Sequence, residues 1–135
     1  PNATLIFEIE LLDVSEPTTL GQANPEILKQ AQMDGAIIID IRREDEWREI
    51  GVIDGAVTIT AFEESGNIHP EFQKKLLNIA PSEKTPIMLY CHIGGRTTSL
   101  GNALIYQLGY SNVSHLTDGI VGWLADGNKI VTYVG

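Results

Sequence analysis

The sequence contains little cysteine, little histidine and little positive charge. It has one cysteine, three histidines, and nine lysines and arginines against eighteen acidic residues, which gives a formal net charge of −9. A single cysteine excludes an internal disulfide and a second thiol that could resolve an oxidised intermediate. Three scattered histidines and one cysteine form no ligand cluster, so we expect no metal and no other cofactor. The acidic balance argues against nucleic acid and anionic membrane as partners.

Long apolar runs are also missing. No run approaches the roughly 20 residues that a membrane-spanning helix needs, and no signal peptide is visible. The chain begins at Pro1 rather than at a methionine, so an upstream segment can precede it. One cysteine says little about the compartment, and the cytoplasm is only slightly favoured over the periplasm.

What is present is typical of a globular α/β domain. The 135 residues are 43% hydrophobic and 20% charged, which is enough apolar content for one core. Apolar β-branched runs alternate with segments of helical periodicity, and this predicts a mostly parallel central sheet with helices on both faces. Strands are expected at Ala36–Ile41, Pro86–Tyr90, Val113–Leu116 and, at the end of the chain, Lys129–Val134. Helices are expected to begin at Pro25, after Asn24 as N-cap, and near Arg96.

The first 14 residues differ in character from the rest. Leu5, Phe7, Ile9 and Leu11 alternate with more polar residues, a period of two that predicts a half-buried strand. The stretch PNATLIFEIELLDV resembles the last strand of FKBP-type peptidyl-prolyl isomerases, and the resemblance implies an isomerase domain fused upstream. The alternative is an extra strand of the present domain. We predict a linker over 15–24, rich in turn-forming residues, and the main domain over 25–135.

One stretch combines the residue types that covalent chemistry needs. The expected strand Pro86–Tyr90 leads into a short loop and then a helix, and the loop reads Cys91-His92-Ile93-Gly94-Gly95-Arg96-Thr97. Glycines let successive backbone N–H groups converge on an anion, and a helix N-terminus adds positive potential at the same place. Such surroundings stabilise a thiolate, so Cys91 is a candidate nucleophile. A cysteine after a buried strand can also be an inert core residue, but such a residue needs no arginine beside it.

These motifs carry a resemblance to a known family. The loop resembles C-x-x-G-x-R-[ST], the active-site loop of the rhodanese (sulfurtransferase) family. Asp40-Ile41-Arg42 resembles the family's D-x-R, Gly51–Ala56 resembles its G-H-I-P-G-A segment, and Gly119 with Trp123 resembles its G-x-x-x-W region. Val52 and Asp54 stand where the family usually has His and Pro. Four motifs in order, over roughly residues 19–126, make the resemblance specific.

The resemblance implies sulfur transfer through a persulfide on Cys91. The partners would be a small sulfur donor, such as thiosulfate or a persulfide, and a thiol or cyanide acceptor. The amides of His92, Ile93, Gly94, Gly95 and Arg96 and the hydroxyl of Thr97 would hold the persulfide. Arg96 would bind the anionic end of the donor or neutralise the persulfide. Asp40 and Arg42 are expected to form a supporting charge pair that ties loops together.

Two other functions stay open at this stage. A phosphatase or arsenate reductase on the same fold would carry C-x5-R, whereas Cys91 and Arg96 are separated by four residues, a ring that suits one sulfur atom rather than a phosphoryl group. A non-catalytic or persulfide-sensing module, tethered to a peptidyl-prolyl isomerase, is the other alternative.

Overall fold

The computed structural model describes residues 19–134. Within them five strands and five helices alternate along the chain: β1 (Gly21–Ala23), α1 (Pro25–Met33), β2 (Ile37–Asp40), α2 (Glu44–Ile50), β3 (Val57–Thr58), α3 (Phe72–Ile79), β4 (Ile87–Tyr90), α4 (Gly95–Tyr106), β5 (Val113–Leu116) and α5 (Gly119–Ala125). The strand predicted for residues 1–14 lies outside the described residues. None of the helices in residues 19–134 is long and apolar enough to span a bilayer.

All strand pairs of the sheet are parallel. The spatial order is β1-β5-β4-β2-β3, and β2 and β4 lie side by side with Ile37 opposite Ile87 and Asp40 opposite Tyr90. From β2 the chain moves outward to β3, whereas from β4 it moves the other way to β5. Connections that diverge in this way leave a crevice at the carboxyl ends of the two strands, where open α/β sheets place their ligand sites. The α/β fold with a parallel sheet is confirmed.

Side chains of the central strands β2 and β4 alternate between two separate apolar layers. Ile87, Leu89 and Cys91 belong to the layer that also contains residues of α3 and α4. Met88 and Tyr90 belong to the opposite layer, with residues of α1 and α5. Because both faces of a parallel sheet are covered by helices, β4 is apolar at every position and buried throughout. Cys91 therefore continues the α4-facing row of this strand.

Local signals at the helix starts are those expected from the sequence. The Oδ1 atom of Asn24 accepts a hydrogen bond from the Ile27 N–H at 2.8 Å, and Pro25 occupies the first turn of α1. Helix α4 begins at Gly95, directly after Gly94, whose φ of 101° lies in the left-handed region. The polypeptide thus turns from strand to helix within the four residues that follow Tyr90.

Two sequence predictions need correction. Residues 21–23 fall within the linker expected over 15–24, but they form edge strand β1, paired with Ser114–Leu116 of β5. The strand is too short and too polar to show an alternating pattern, and its place comes from backbone pairing. The last strand expected over Lys129–Val134 is also wrong: in that segment Val131 forms only an isolated antiparallel bridge with Val52.

Candidate active site

Cys91 is the first residue after β4, at the crevice between β4 and β2. Its side chain is 1% exposed and belongs to the α4-facing apolar layer. The backbone then turns through His92, Ile93 and Gly94 into helix α4. The sulfur atom is thus held below the first turn of a twelve-residue helix, where the backbone dipoles favour negative charge.

Two polar groups contact the sulfur atom within residues 19–134. The backbone N–H of Gly94 donates a hydrogen bond to Sγ at 3.2 Å, and the Oγ1 atom of Thr97 lies 3.7 Å from Sγ. Gly94 can aim its N–H in this way because of its positive φ, and a Cβ at that position would lie 2.0 Å from the carbonyl oxygen of Thr117. Glycine is therefore required at this position both by conformation and by space.

The loop is fixed from outside by the start of helix α5. The Ile120 N–H donates to the carbonyl oxygen of Cys91 at 2.9 Å, and the Val121 N–H donates to that of His92 at 3.1 Å. Gly119, at a φ of 61°, allows this approach, since a Cβ there would lie 2.2 Å from the carbonyl oxygen of His92. Gly119 belongs to the G-x-x-x-W motif, and its place in the structure is this backbone contact with the Cys91 loop.

Arg96 is held in a bidentate ion pair with Glu46 of α2. Its two terminal nitrogens donate to the carboxylate oxygens at 2.8 and 2.7 Å, and Glu46 Oε1 also accepts from the Arg43 N–H at 3.1 Å. Burial alone would raise the pKa of Glu46, but the hydrogen bonds from Arg96 and Arg43 outweigh it and lower the pKa to about 2. The hydrogen bonds that Arg96 donates to Glu46 raise the pKa of Arg96. Both groups are charged at neutral pH.

Asp40 and Arg42 form a second ion pair, with both side chains fully buried. The Arg42 guanidinium donates to both Asp40 oxygens, at 2.7 Å for the shortest contact, and to the Gly51 carbonyl oxygen at 2.6 Å. Burial would lower the pKa of Arg42, but Asp40 outweighs it and the pKa is raised. The pair ties the end of β2 to the segment after α2 and makes no contact with the sulfur.

Thr97 connects the sulfur to a buried histidine. Thr97 Oγ1 lies 2.7 Å from Nδ1 of His115 in β5, and Nε2 of His115 lies 3.1 Å from Oε1 of Gln22 in β1. Burial lowers the pKa of His115. Sequence reasoning did not select His115, Gln22 or Glu46. The one available signal for His115 was a histidine inside an otherwise apolar strand, VSHL.

A cleft of about 320 Å³ opens beside the loop. Its lining residues are Arg43, Phe62, Glu63, Glu64, Gly66, Gly95, Arg96 and Ser99. Ile93, at the tip of the loop, is 65% exposed, and His92 is half-buried. Of the residues predicted for the site, Cys91, Gly94 and Thr97 are brought together, and Gly95 and Arg96 line the cleft. Among the five amides predicted to hold the sulfur, the described hydrogen bond to Sγ comes from Gly94. Among residues 19–134 no three His, Cys, Asp or Glu side chains are grouped so that they could hold a metal ion.

Comparison with known families matches this arrangement. The family model of the rhodanese-like domain matches residues 24–126, most of the chain. The chain belongs to the rhodanese-like domain family. All four sequence motifs lie within the matched residues, and the match begins at the N-cap of α1, one residue before the domain boundary expected from the sequence.

Curated relatives of the rhodanese-like domain are longer proteins. The chain is 31% identical over 130 residues to the tRNA uridine(34) hydroxylase of Chlamydia pneumoniae and 27% identical over 133 residues to that of Protochlamydia amoebophila. The alignments cover 91% of this chain in both cases, but only 38% and 39% of those relatives. The chain therefore spans less than half the length of the proteins it matches.

Solved structures share the fold of the rhodanese-like domain at low sequence identity. The polysulfide-sulfur transferase homodimer of Wolinella succinogenes superposes with a TM-score of 0.65 at 17% identity, covering 83% of this chain and 78% of that one. A thiosulfate sulfurtransferase from Pseudomonas aeruginosa gives 0.61 at 21% identity, covering 82% of this chain and 20% of that one. The rhodanese-like domain of an Anabaena protein gives 0.61 at 21% identity, covering 87% and 81%.

Proposed function

We propose that this domain transfers a sulfane sulfur from a donor persulfide, or from thiosulfate, to a thiol acceptor through a persulfide on Cys91. The observation that supports this most directly is the sulfur atom itself, buried at the crevice and accepting the Gly94 N–H at 3.2 Å. A lone amide and a hydroxyl beside one buried sulfur atom suit a thiolate or a persulfide, because both carry negative charge at that point. The four-residue spacing between Cys91 and Arg96 supports the same chemistry.

The reaction divides into two balanced displacements. In the first, the Cys91 thiolate attacks the outer sulfur of the neutral donor R–S–SH, the donor S–S bond breaks, and R–S⁻ leaves. Cys91 becomes Cys–S–SH, which gives its proton to solvent and becomes Cys–S–S⁻. In the second, an acceptor thiolate attacks the outer sulfur and expels the Cys91 thiolate. No net oxidation occurs, and one covalent intermediate divides the transfer into two steps. A second cysteine in this chain is not needed, because the acceptor completes the cycle.

Charges at the cleft favour a donor that is not strongly anionic. Arg96 is paired with Glu46, and Arg43 lies 3.4 Å from Asp45, so both cations have carboxylate partners. Glu63 and Glu64 line the same cleft, and no ion pair within residues 19–134 includes them. The local balance is therefore negative, which disfavours a dianion such as thiosulfate. We rank a persulfide donor above thiosulfate for this reason.

Intact-protein mass spectrometry tests the proposal. The domain is incubated with a low-molecular-weight persulfide, or with thiosulfate, and measured before and after a thiol wash. We expect a gain of one sulfur atom that the thiol removes with formation of the acceptor persulfide, and no such gain in Cys91→Ser. Sulfur transfer by folded Cys91→Ser, or no gain with any donor, would overturn the mechanism. A gain that thiols do not remove would favour a persulfide-sensing module instead.

The relatives support a second candidate, namely that the chain is the rhodanese-like part of a tRNA uridine(34) hydroxylase. The supporting observation is 31% identity over 91% of this chain to a protein of that name. A net charge of −9 gives this segment little attraction for RNA, so other parts of such a protein would bind the tRNA. Hydroxylation of uridine 34 in tRNA incubated with the full-length protein, lost in Cys91→Ser, would support this candidate. Unmodified tRNA under conditions that load Cys91 with sulfur would reject it.

A further inference from the structure

A continuous line of polar groups joins Cys91 to the far edge of the sheet. It runs from Sγ to Thr97 Oγ1 at 3.7 Å, on to His115 Nδ1 at 2.7 Å, and from His115 Nε2 to Gln22 Oε1 at 3.1 Å. The imidazole is 2% exposed and Thr97 is fully buried. Gln22 and His115 are register partners on neighbouring strands, and His115 is also the register partner of Leu89, two residues before Cys91. Three elements therefore converge on one histidine.

The hydrogen bonds fix which nitrogen of His115 carries the proton. Gln22 Nε2 donates to the Leu20 carbonyl oxygen at 3.2 Å, which leaves Oε1, an acceptor, facing the ring. Nε2 of His115 must then be the protonated nitrogen. Burial lowers the pKa of His115, so the ring is neutral at pH 7 and Nδ1 offers a lone pair.

The single hydrogen of the Thr97 hydroxyl then has a defined direction. Nδ1 of His115 at 2.7 Å is closer than the other acceptor, the Gly94 carbonyl oxygen at 3.1 Å. A hydroxyl that donates to His115 presents its oxygen lone pairs to Cys91, where they can accept the thiol proton. If Nδ1 is protonated instead, it donates to Thr97, and the Thr97 hydrogen becomes available to a thiolate or persulfide at Cys91.

We propose that His115 is a positioning residue that takes up the Cys91 thiol proton through Thr97, with Gln22 holding the ring in the required tautomer. The proton of Sγ moves to Thr97 Oγ1 while the Thr97 proton moves to Nδ1, so a thiol and a neutral imidazole become a thiolate and an imidazolium. No bond between heavy atoms changes. The proton returns by the same route whenever Cys91 is released as a thiol. The inference rests on the proposed function, since it supplies the nucleophile that sulfur transfer uses.

The groups in described contact with the His115 ring carry no charge, so the counter-charge for an imidazolium there has to come from the Cys91 thiolate. From α4 the group against the ring is Thr97, from β1 it is Gln22, and neither is charged. Cys91, at the end of β4, contacts Thr97 rather than the ring itself. Burial is the described cause of the lowered His115 pKa. Since an imidazolium buried without a counter-charge is costly, protonation of His115 and ionisation of Cys91 should occur together.

The rate of Cys91 alkylation by iodoacetamide, followed against pH, tests the proposal. His115→Asn keeps a polar group beside Thr97 but cannot take up a proton. We expect the pH midpoint of the alkylation profile to rise by about one unit and the rate at neutral pH to fall about tenfold. His69→Asn is the matched control, because Nδ1 of His69 accepts only the local Glu71 N–H. An unchanged midpoint in His115→Asn would overturn the proposal.

A double-mutant cycle separates the relay from a packing effect. Thr97→Val removes the hydroxyl with little change in shape, and we expect His115→Asn to add no further shift of the midpoint in that background. Additive shifts would show that His115 acts by another route and would overturn the relay. If His115→Asn does not fold, Gln22→Leu serves in its place. This substitution removes the acceptor that keeps the proton on Nε2 of His115, so we expect the alkylation midpoint to shift. An alkylation midpoint equal to that of the unmodified domain would count against the proposal.

Alkylation does not require a sulfur donor, so the two proposals can fail separately. A shifted midpoint without any sulfur gain on Cys91 would support the relay and reject sulfur transfer. Sulfur gain on Cys91, together with an alkylation midpoint that His115→Asn leaves unchanged, would support sulfur transfer and reject the relay.

Discussion

At the scale of single residues, the sulfur of Cys91 depends on very few contacts. One amide hydrogen bond and one hydroxyl are the described polar contacts of Sγ. A charge-assisted hydrogen bond is stronger than a neutral one, so both contacts strengthen when sulfur becomes a thiolate or persulfide. Both contacts therefore suit the charged persulfide that the proposed sulfur transfer requires.

Under the proposed sulfur transfer, donor preference should depend on Glu63 and Glu64, which line the same cleft as Arg96. We expect Glu63→Gln/Glu64→Gln to raise kcat/KM for thiosulfate several-fold, because two negative charges no longer repel a dianion in the cleft. Turnover of an uncharged persulfide should change little. The gain for thiosulfate should shrink as salt is added, since screening reduces the same repulsion.

The matched control is Glu26→Gln/Glu71→Gln, which removes two exposed carboxylates that do not line the cleft. An equal gain in the control would indicate an effect of total charge rather than of the cleft. An unchanged kcat/KM for thiosulfate in the cleft variant would contradict the ranking of donors.

At the scale of elements, the crevice depends on a buried ion pair at the end of β2. Asp40 and Arg42 are fully buried, and Nη1 of Arg42 has no described hydrogen-bond partner within residues 19–134. We expect Asp40→Asn to lower the free energy of unfolding by about 3–5 kcal/mol, because a buried guanidinium loses its counter-charge. Urea denaturation at neutral pH measures the change.

Asp45→Asn provides the comparison, since Asp45 pairs with Arg43 at the surface and its side chain is 72% exposed. Its loss should cost less than about 1 kcal/mol. Similar losses in the two variants would mean that burial of the Asp40–Arg42 pair does not matter for stability.

The contact between the Cys91 loop and helix α5 is the second element-scale feature. Gly119→Ala would place a Cβ 2.2 Å from the His92 carbonyl oxygen, so the loop must move away from α5. We expect lower stability and a sulfur-loading rate on Cys91 reduced at least about tenfold, since displacement of about 1 Å can cost that much or more. Thermal unfolding and mass spectrometry measure the two effects.

Gly127→Ala separates the clash from backbone strain. Gly127 also has a positive φ, 84°, but a Cβ there would meet no atom within 4 Å. Gly127→Ala should lower the free energy of unfolding by only roughly 1 kcal/mol, the cost of a non-glycine residue in the left-handed region. The rate of sulfur loading on Cys91 should not change. A loading rate that falls equally in both variants would refute a specific role for the Gly119 contact.

At the scale of the whole molecule, the Glu46–Arg96 pair joins α2 to α4 across the crevice. The pKa of Glu46 is lowered from 4.5 to about 2 in the folded protein. A depressed carboxyl pKa contributes stability that is fully present above the unfolded value and is lost as the pH falls through the folded one. The contribution is on the order of 2 kcal/mol at neutral pH, less than the full shift implies, because 18% of the Glu46 side chain and 28% of the Arg96 side chain are exposed to solvent.

We therefore expect Glu46→Gln to destabilise the domain at neutral pH, and the difference from the unmodified domain to shrink as the pH falls from about 5 towards 2. Denaturant titrations over that range measure the difference. Glu26→Gln, which removes an exposed partner of Lys29, should show a small difference throughout. A difference for Glu46→Gln that stays constant with pH would contradict the ion pair as its cause.

Much of this molecule was predictable from local sequence. The apolar run of β4, the Asn24–Pro25 helix start and the Cys91-to-Arg96 spacing each lie within a few residues, so short-range sterics and periodicity determine them. The order of strands and helices, and with it the parallel α/β fold, follows from the same local signals. The isomerase-like reading of residues 1–14 and the roles of His92 and Ile93 stay predictions.

Other features appear only when distant segments meet. The partner of Arg96 is 50 residues away, and the partner of His115 on β1 is 93 residues away, in a segment that reads as a linker. The pairing of β1 with β5 and the seating of α4 above β4 bring these groups together. Sequence by itself determined the candidate nucleophile Cys91, its glycine loop and the fold class, because each follows from signals within a few residues. Tertiary structure decided which polar and charged groups lie near the Cys91 loop, because strand register and helix packing set the distances between Arg96 and Glu46 and between His115 and Gln22.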